Sequence, residues 1–299
     1  MSRRAALALA FLVSGVLLAA TIWALEPKAF LAALGRARAD WLALAGGLVL
    51  LAALLRALRW RVAAGAPAGF AVFWRAANLG NLGNAIYPLR AGEAIRIGAL
   101  ARAAALDPAE AAASSALDRA AEGLALLAVG VPALLLAAPT LQAPQPLVAV
   151  GVLALLGAAA LLISRFEAPR AAAVRFRLSL RRLARARSVL PALALTAIAY
   201  ACDIGFTWAV LQALQLDVGF AAAVLTNVFL VFAGLLPAAP AGVGAHQAAC
   251  ALALGLFGIG ASEAVAFSAL AQAVTVAGAV LLGIEALRAG SLRRASAPG

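Results

Sequence analysis

Asn78-Leu-Gly-Asn-Leu-Gly-Asn-Ala-Ile-Tyr-Pro88-Leu-Arg-Ala-Gly92-Glu93 interrupts a long apolar region in the first half of the chain. Asn227-Val-Phe-Leu-Val-Phe-Ala-Gly-Leu-Leu-Pro237-Ala-Ala-Pro-Ala-Gly242-Val-Gly244 interrupts another in the second half. In each an Asn precedes a Pro by ten residues, an Ala-Gly follows, and a full-length apolar segment stands on either side. Unpaired backbone groups are costly in hydrocarbon, so a broken helix survives only where protein or a wet cavity surrounds it. The free helix N-termini at such breaks offer N–H donors and a partial positive charge to an anion. Gly/Pro-interrupted segments at matching positions of two halves point to a substrate site in a membrane protein. The two stretches therefore predict a polar cavity near the midplane of a transporter-like bundle.

The composition places that bundle in a bilayer. The 299 residues are 66% hydrophobic and 12% charged, with a mean hydropathy of +1.02. Soluble domains are nearer half apolar and a quarter charged. Several apolar runs exceed the roughly 18 residues that span a hydrocarbon core. No polar stretch is long enough for a sizeable soluble domain. The net charge of +12 comes almost wholly from Arg, Lys28 being the one lysine. It sits in short loops between spans, the signature of membrane topology rather than nucleic-acid contact, and it also suits anionic lipid headgroups. No nucleic-acid partner is expected. Cys202 and Cys250 both lie in apolar segments and suggest neither a disulfide framework nor a metal site. No phosphate-binding loop, dinucleotide fingerprint, zinc-protease motif or nucleophile elbow is present, so no cofactor, metal, catalytic residue or ATP site is expected.

The expected architecture is all-α: one polytopic integral membrane domain over 1–299. It has about six full spans plus two broken or re-entrant helix pairs. A retained first span (5–25) and an interfacial segment complete residues 1–40. The first half (41–138) holds span 2 (41–60), a broken segment (70–106) and span 3 (111–138). Residues 139–187 hold an uncharged loop (139–146), span 4 (147–163) and a basic segment (165–187) expected to lie on the inner leaflet. The second half (188–288) holds span 5 (188–214), a broken segment (218–257) and span 6 (261–287); a basic tail follows (289–299). The basic segments at Arg3/Arg4, Arg56–Arg61, Arg165–Arg187 and Arg288–Arg294 place both termini in the cytoplasm of an inner-membrane protein. The first half then starts outside and the second inside, which is an inverted-topology repeat.

Few residues are candidates for chemistry. Asp118 and Glu122 are four apart on one helix face, with Arg119 about 100° away. Ionisable groups inside a span are rare and often mark a pathway; the alternative is that these snorkel at headgroup level. Arg90, Glu93 and Arg96 read either as a phosphate clamp, Glu93 orienting the two forks, or as an ordinary basic loop. Arg56, Arg59 and Trp60 read best as interfacial anchors. Asp203, alone within span 5, calls for an Arg partner or a proton-coupling role. His246, the one histidine, cannot build a metal site alone but stands at the second break, where a headgroup would pass. Asn84, Pro88 and Gly92 at the first break, with Asn227, Pro237, Gly242 and Gly244 at the second, complete the candidate substrate-binding set.

Four motifs carry a family resemblance: Leu55-Arg-Ala-Leu-Arg-Trp60, Asn84-Ala-Ile-Tyr-Pro-Leu-Arg-Ala-Gly-Glu93, Leu117-Asp-Arg119 and Pro240-Ala-Gly-Val-Gly-Ala-His-Gln247. Together they resemble the membrane, flippase-like domain of lysylphosphatidylglycerol synthases over nearly the whole chain. In that family a Glu or similar polar residue often follows the second glycine turn; here His246-Gln247 stands there. The resemblance implies lipid translocation between leaflets. In full-length synthases a separate soluble domain transfers an aminoacyl group from tRNA to phosphatidylglycerol. The sequence here ends at Gly299, so a stand-alone form without that domain is expected. Stand-alone members also occur beside polyprenyl-lipid, glycolipid and hopanoid pathways.

The leading expectation is a lipid flippase or transporter, not an enzyme, that binds an anionic headgroup in the cavity and leaves the acyl tails in the bilayer. Its motion would be passive or ion-coupled. The runner-up is a membrane enzyme, or a subunit of one, that modifies lipid headgroups; a scaffold for such a complex is the third class. A lipid-biosynthesis enzyme as partner and a homo-oligomer are both compatible with the sequence.

Overall fold

The computed structural model describes residues 12, 15–16, 26–65, 68–88, 90–137, 186–234 and 239–295, and its regular elements there are all helical. Most of span 1, the loop 139–146, span 4, nearly all of the basic segment 165–187, Pro237 and the last four residues lie outside the described residues. The helices are α1 (Pro27–Gly35), α2 (Ala39–Ala64), α3 (Phe70–Ile86), α4 (Gly92–Ala104), α5 (Pro108–Ala137), α6 (Ala186–Ala213), α7 (Phe220–Ala233), α8 (Ala245–Gly255) and α9 (Ala261–Ala295). A 3-10 turn, Pro240–Gly242, precedes α8. Among the described residues three helical stretches are long and apolar enough to cross a membrane: Ala39–Ala64, Leu190–Ala213 and Ala261–Ala289. They coincide with expected spans 2, 5 and 6. Span 3 falls within α5, whose 30 residues follow an Asp107 side chain that accepts the Ala109 N–H at 2.7 Å, with Pro108 at the first helical position.

The breaks are shorter than the sequence suggested. Asn78 through Ile86 stay helical, and Gly80 and Gly83 do not interrupt α3. The chain leaves the helix at Tyr87 (φ −103°, ψ 143°), because Pro88 disfavours the helical conformation at the residue before it. Likewise Asn227 lies inside α7, and the second break falls between Ala233 and Ala245. The glycines serve close packing instead. A β-carbon on Gly92 would overlap the Gly80 carbonyl oxygen, and one on Gly80 would sit 2.8 Å from the Arg96 β-carbon. The contacts Gly80–Arg96, Gly83–Ile95 and Asn84–Gly92 show α3 and α4 folded back as an antiparallel hairpin. Asn84 Oδ1 closes its tip by accepting the Gly92 N–H at 2.9 Å. The second hairpin pairs α7 with α8 through Phe229, Leu230, Ala233, Ala245 and Ala249. Its tip is closed by Gln247 Oε1, which accepts the Gly244 N–H at 2.8 Å.

One backbone feature aligns the two tips: Arg90 (φ 55°), two residues after Pro88, corresponds to Gly242 (φ 75°), two residues after Pro240, which pairs Gly92 with Gly244. There the tips differ, for Gly92 opens α4 whereas Gly244 (φ 88°) precedes α8. The match therefore runs through Pro240. Helix packing repeats in the same way. Exchanging α2, α3, α4 and α5 for α6, α7, α8 and α9 maps each packed helix pair within and between the halves onto another packed pair. The counterparts α2 and α6 sit side by side and run antiparallel, as the contacts Arg38 N–Ala213 O (2.9 Å), Leu48–Gly205 and Arg56–Asp203 show. The two hairpins enter from opposite ends of the bundle, and the Pro240–Gly242 turn rests against α3. A core of Ala45, Phe206, Val210, Leu214, Cys250, Leu254 and Phe267 joins α2, α6, α8 and α9.

Gly92→Ala is expected to destabilise the detergent-solubilised protein by about 1–3 kcal/mol, the usual range for overpacking. Gly123→Ala, where a β-carbon meets nothing within 4 Å, should be neutral or stabilising. Thermal unfolding of both variants checks this; equal midpoints would contradict the close approach of α3 and α4.

Candidate functional site

Charged side chains from four helices converge between the halves. On α2, Arg59 Nε donates to Asp118 Oδ1 at 2.8 Å and Arg59 Nη2 to Glu122 Oε1 at 2.7 Å. On α4, Arg96 Nη2 donates to the other Asp118 oxygen at 2.8 Å. Arg119 Nη2 and Nε grip Glu93 at 2.7 and 3.3 Å, and Arg119 also pairs with Glu122. Arg56 pairs with Asp203 on α6 and lies 3.8 Å from Glu122. The antiparallel course of α2 and α5 explains the register, since Trp60, Arg59 and Arg56 meet Ser114, Asp118 and Glu122 in reverse order.

The network is graded in burial. Arg59 and Asp118 are 1% and 2% exposed, whereas Arg56 is 38% exposed. Trp60 seals the deep end: its ring lies 3.9 Å from the Arg96 guanidinium, its indole N–H donates to Ser114 at 3.1 Å, and Phe73 meets it edge-on at 5.4 Å. The arrangement suits a guanidinium, whose flat face stacks while its edge bonds a carboxylate.

A cavity of about 240 Å³ opens beside the network. Its walls include Arg56, Arg59, Arg90, Arg96, Arg119, Asp118, Glu122 and Asp203, and the uncharged Asn81, Asn84, Thr196 and Tyr200. Arg56, Arg59, Arg96 and Arg119 pair with Glu93, Asp118, Glu122 and Asp203, and Arg90 also stands on the wall. Five guanidiniums thus reach one space inside an apolar bundle.

Of the residues expected from sequence, Asn84, Arg90, Arg96, Asp118, Arg119, Glu122 and Asp203 line this cavity, and Glu93 is bonded to its wall. Pro88 and Gly92 form the tip of the first hairpin. Asn227, Gly242, Gly244 and His246 belong to the second hairpin and are not on the cavity wall; Pro237 lies outside the described residues. His246 Nδ1 is 2.8 Å from Ser268 Oγ. Arg96, expected as half of a phosphate clamp, lines the cavity, is bonded to Asp118 and stacks on Trp60. The anchor reading of Arg59 and Trp60 is corrected, for both are buried in protein at 1% and 0% exposure. Sequence reasoning also missed Asn81, Thr196 and Tyr200. The signal for the arginines was present: Arg56 and Arg59 are three apart on one face of an apolar helix, complementary to Asp118 and Glu122. Nothing in the sequence marks Asn81, Thr196 or Tyr200 as converging there.

Asp118→Asn leaves Arg59 and Arg96 buried without their shared carboxylate, which should cost about 3–5 kcal/mol. Asp40→Asn, at the exposed Arg38–Asp40 pair, should leave the unfolding midpoint unchanged. Thermal unfolding of the two variants side by side checks the contrast.

Comparison with protein families finds a match to the Lysylphosphatidylglycerol synthase TM region over residues 7–283, which covers both hairpins and the whole charge network. Comparison with curated proteins finds no match. The expected resemblance therefore holds along the chain, and its role is tied to membrane lipids. The chain belongs to the lysylphosphatidylglycerol synthase transmembrane-region family.

Proposed function

We propose that this protein is a transporter, not an enzyme, and that it moves an anionic lipid headgroup between the leaflets of the inner membrane. The observation that carries the reading is the cavity wall, where Arg56, Arg59, Arg90, Arg96 and Arg119 converge deep in an apolar bundle. Buried charge of this kind is rare inside a membrane bundle and usually marks a pathway. Arginine forks bind phosphate oxygens in pairs, and Arg90 at the hairpin tip is the proposed first contact. A cavity of about 240 Å³ suits a headgroup and leaves no room for acyl chains, which would stay in lipid.

The antiparallel counterparts α2 and α6 and the opposite entry of the hairpins support an inverted-topology repeat. In this reading the hairpins are re-entrant, reaching the midplane from opposite leaflets, so the site faces either side by a modest tilt of one half. Arg61, Arg75, Arg102 and Arg288 share one end of the bundle, near the base of the first hairpin, which supports a cytoplasmic placement of that end. The sequence carries no ATP-binding motif, so the proposed movement is passive or ion-coupled.

The test is headgroup translocation in proteoliposomes, with fluorescent phosphatidylglycerol, phosphatidylcholine and a polyprenyl phosphate compared. The expected result is faster translocation of an anionic lipid than of phosphatidylcholine. Arg90→Ala should slow it about tenfold or more, the loss of one charge-assisted contact. Equal rates with and without protein would overturn the transporter reading and bring a headgroup-modifying subunit to the front.

A further inference from the structure

The two matched hairpins are docked by different chemistry. In the first, charge holds α4 on α5, through Glu93 with Arg119 and Arg96 with Asp118. In the second, neutral groups hold α8 on α9: Gln247 Nε2 donates to Gln272 Oε1 at 2.8 Å, and His246 meets Ser268 at 2.8 Å. Gln272 Nε2 also donates to the Ala241 carbonyl at 2.8 Å, fixing the second tip. The positions correspond. Ser114 and Asp118 on α5 match Ser268 and Gln272 on α9, four residues apart in each case. With Gly92 aligned to Gly244, the next residue is Glu93 in the first hairpin and Ala245 in the second.

Glu93 is therefore the element that one hairpin has and the other lacks. Its carboxylate meets Arg119 at two points, 2.7 and 3.3 Å, the fork geometry that a phosphate also satisfies. Glu93 and Arg119 are 29% and 21% exposed, unlike the sealed Arg96–Asp118 pair at 6% and 2%. If Glu93 leaves, Arg119 keeps Glu122, and Glu93 has Arg96 at 3.8 Å as a second partner. The tip itself holds Arg90 at φ 55°, a conformation disfavoured for a residue with a side chain, so the closed tip depends on such ties.

We infer that Glu93 occupies the anion's place in the empty protein, and that a phosphate-bearing headgroup displaces it from Arg119 and so releases the tip of the first hairpin while the second stays docked. The inference rests on the transporter reading above and adds a trigger to it. Arg96, bonded to Asp118 and stacked on Trp60, is the pivot that remains. The incoming phosphate takes the place of Glu93 on Arg119, which also keeps Glu122, and Glu93 keeps Arg96 as its partner, so no buried cation is stranded during the step.

Amide hydrogen exchange of the solubilised chain tests this in three conditions: non-ionic detergent micelles without phospholipid, the same with phosphatidylglycerol, and the same with inorganic phosphate. Binding of phosphatidylglycerol is followed separately by native mass spectrometry. Exchange across residues 90–95 should rise about tenfold with the anionic lipid, as expected for loss of a hydrogen bond between charged groups. Residues 245–253 should not change and serve as the internal control. A rise with inorganic phosphate as well also supports the displacement and assigns it to the phosphate group alone. Bound phosphatidylglycerol with unchanged exchange at 90–95, or an equal rise in both hairpins, overturns the inference and leaves the transporter reading standing. Absence of anionic-lipid binding overturns both. In Glu93→Gln the tip should exchange fast already in the phospholipid-free micelles, with no further response to the anionic lipid.

Discussion

A carboxylate held between two buried guanidiniums organises this protein. Asp118 receives Arg59 on one oxygen and Arg96 on the other, each at 2.8 Å. With that one side chain α5 is tied to α2 and to the returning arm of the first hairpin. Inside a bilayer such charges persist only as a closed set, because one stranded ion costs several kcal/mol. The surrounding residues follow from that demand. Glu122 and Glu93 answer Arg119, Asp203 answers Arg56, and Trp60 covers the face of Arg96.

Close packing makes the convergence geometrically feasible. Gly80 and Gly92 let the hairpin arms approach until a β-carbon would not fit, which carries Arg96 and Glu93 far enough inward to meet α5. Alanines at 45, 52 and 57 face inward along α2 with 0–1% exposure, and Leu48 lies against Gly205 of α6. Helices in membranes associate largely through such small residues, since apolar side chains gain little by leaving lipid. The second half repeats the helix plan and adds Asp203 to the charge network, but docks its hairpin without charge. Gln247, Gln272, His246 and Ser268 hold that hairpin, so one packing plan carries an ionic device on one side and a neutral one on the other.

Much of this was legible in the sequence, for identifiable reasons. Pro88 announces the first break because it acts locally on Tyr87, and the long apolar runs announce α2, α6 and α9. Asp118, Arg119 and Glu122 stand out because charge is rare in such a helix. The exact extent of the breaks was not legible: Gly80 and Gly83 look like helix breakers in one dimension and are packing surfaces in three. Arg59 and Trp60 resemble interfacial anchors until the antiparallel register of α5 shows what they face. The match of Pro88 to Pro240 depends on backbone dihedrals at Arg90 and Gly242, which spacing alone does not encode. Asn81, Thr196 and Tyr200 become site residues only through the assembly of α3 and α6 around one space.

The central claim is that a wet, arginine-lined cavity lies between the halves within the membrane. Its most direct test is cysteine accessibility in a protein whose buried Cys202 and Cys250 have been replaced. Asn81→Cys and Ala199→Cys, both on the cavity wall, should react with a membrane-impermeant thiol reagent in opened membranes, and anionic lipid should slow the reaction. Leu281→Cys, on an exposed apolar face of α9, should stay unlabelled in lipid. Failure of both cavity positions to react, at the level of Leu281→Cys, would contradict the account.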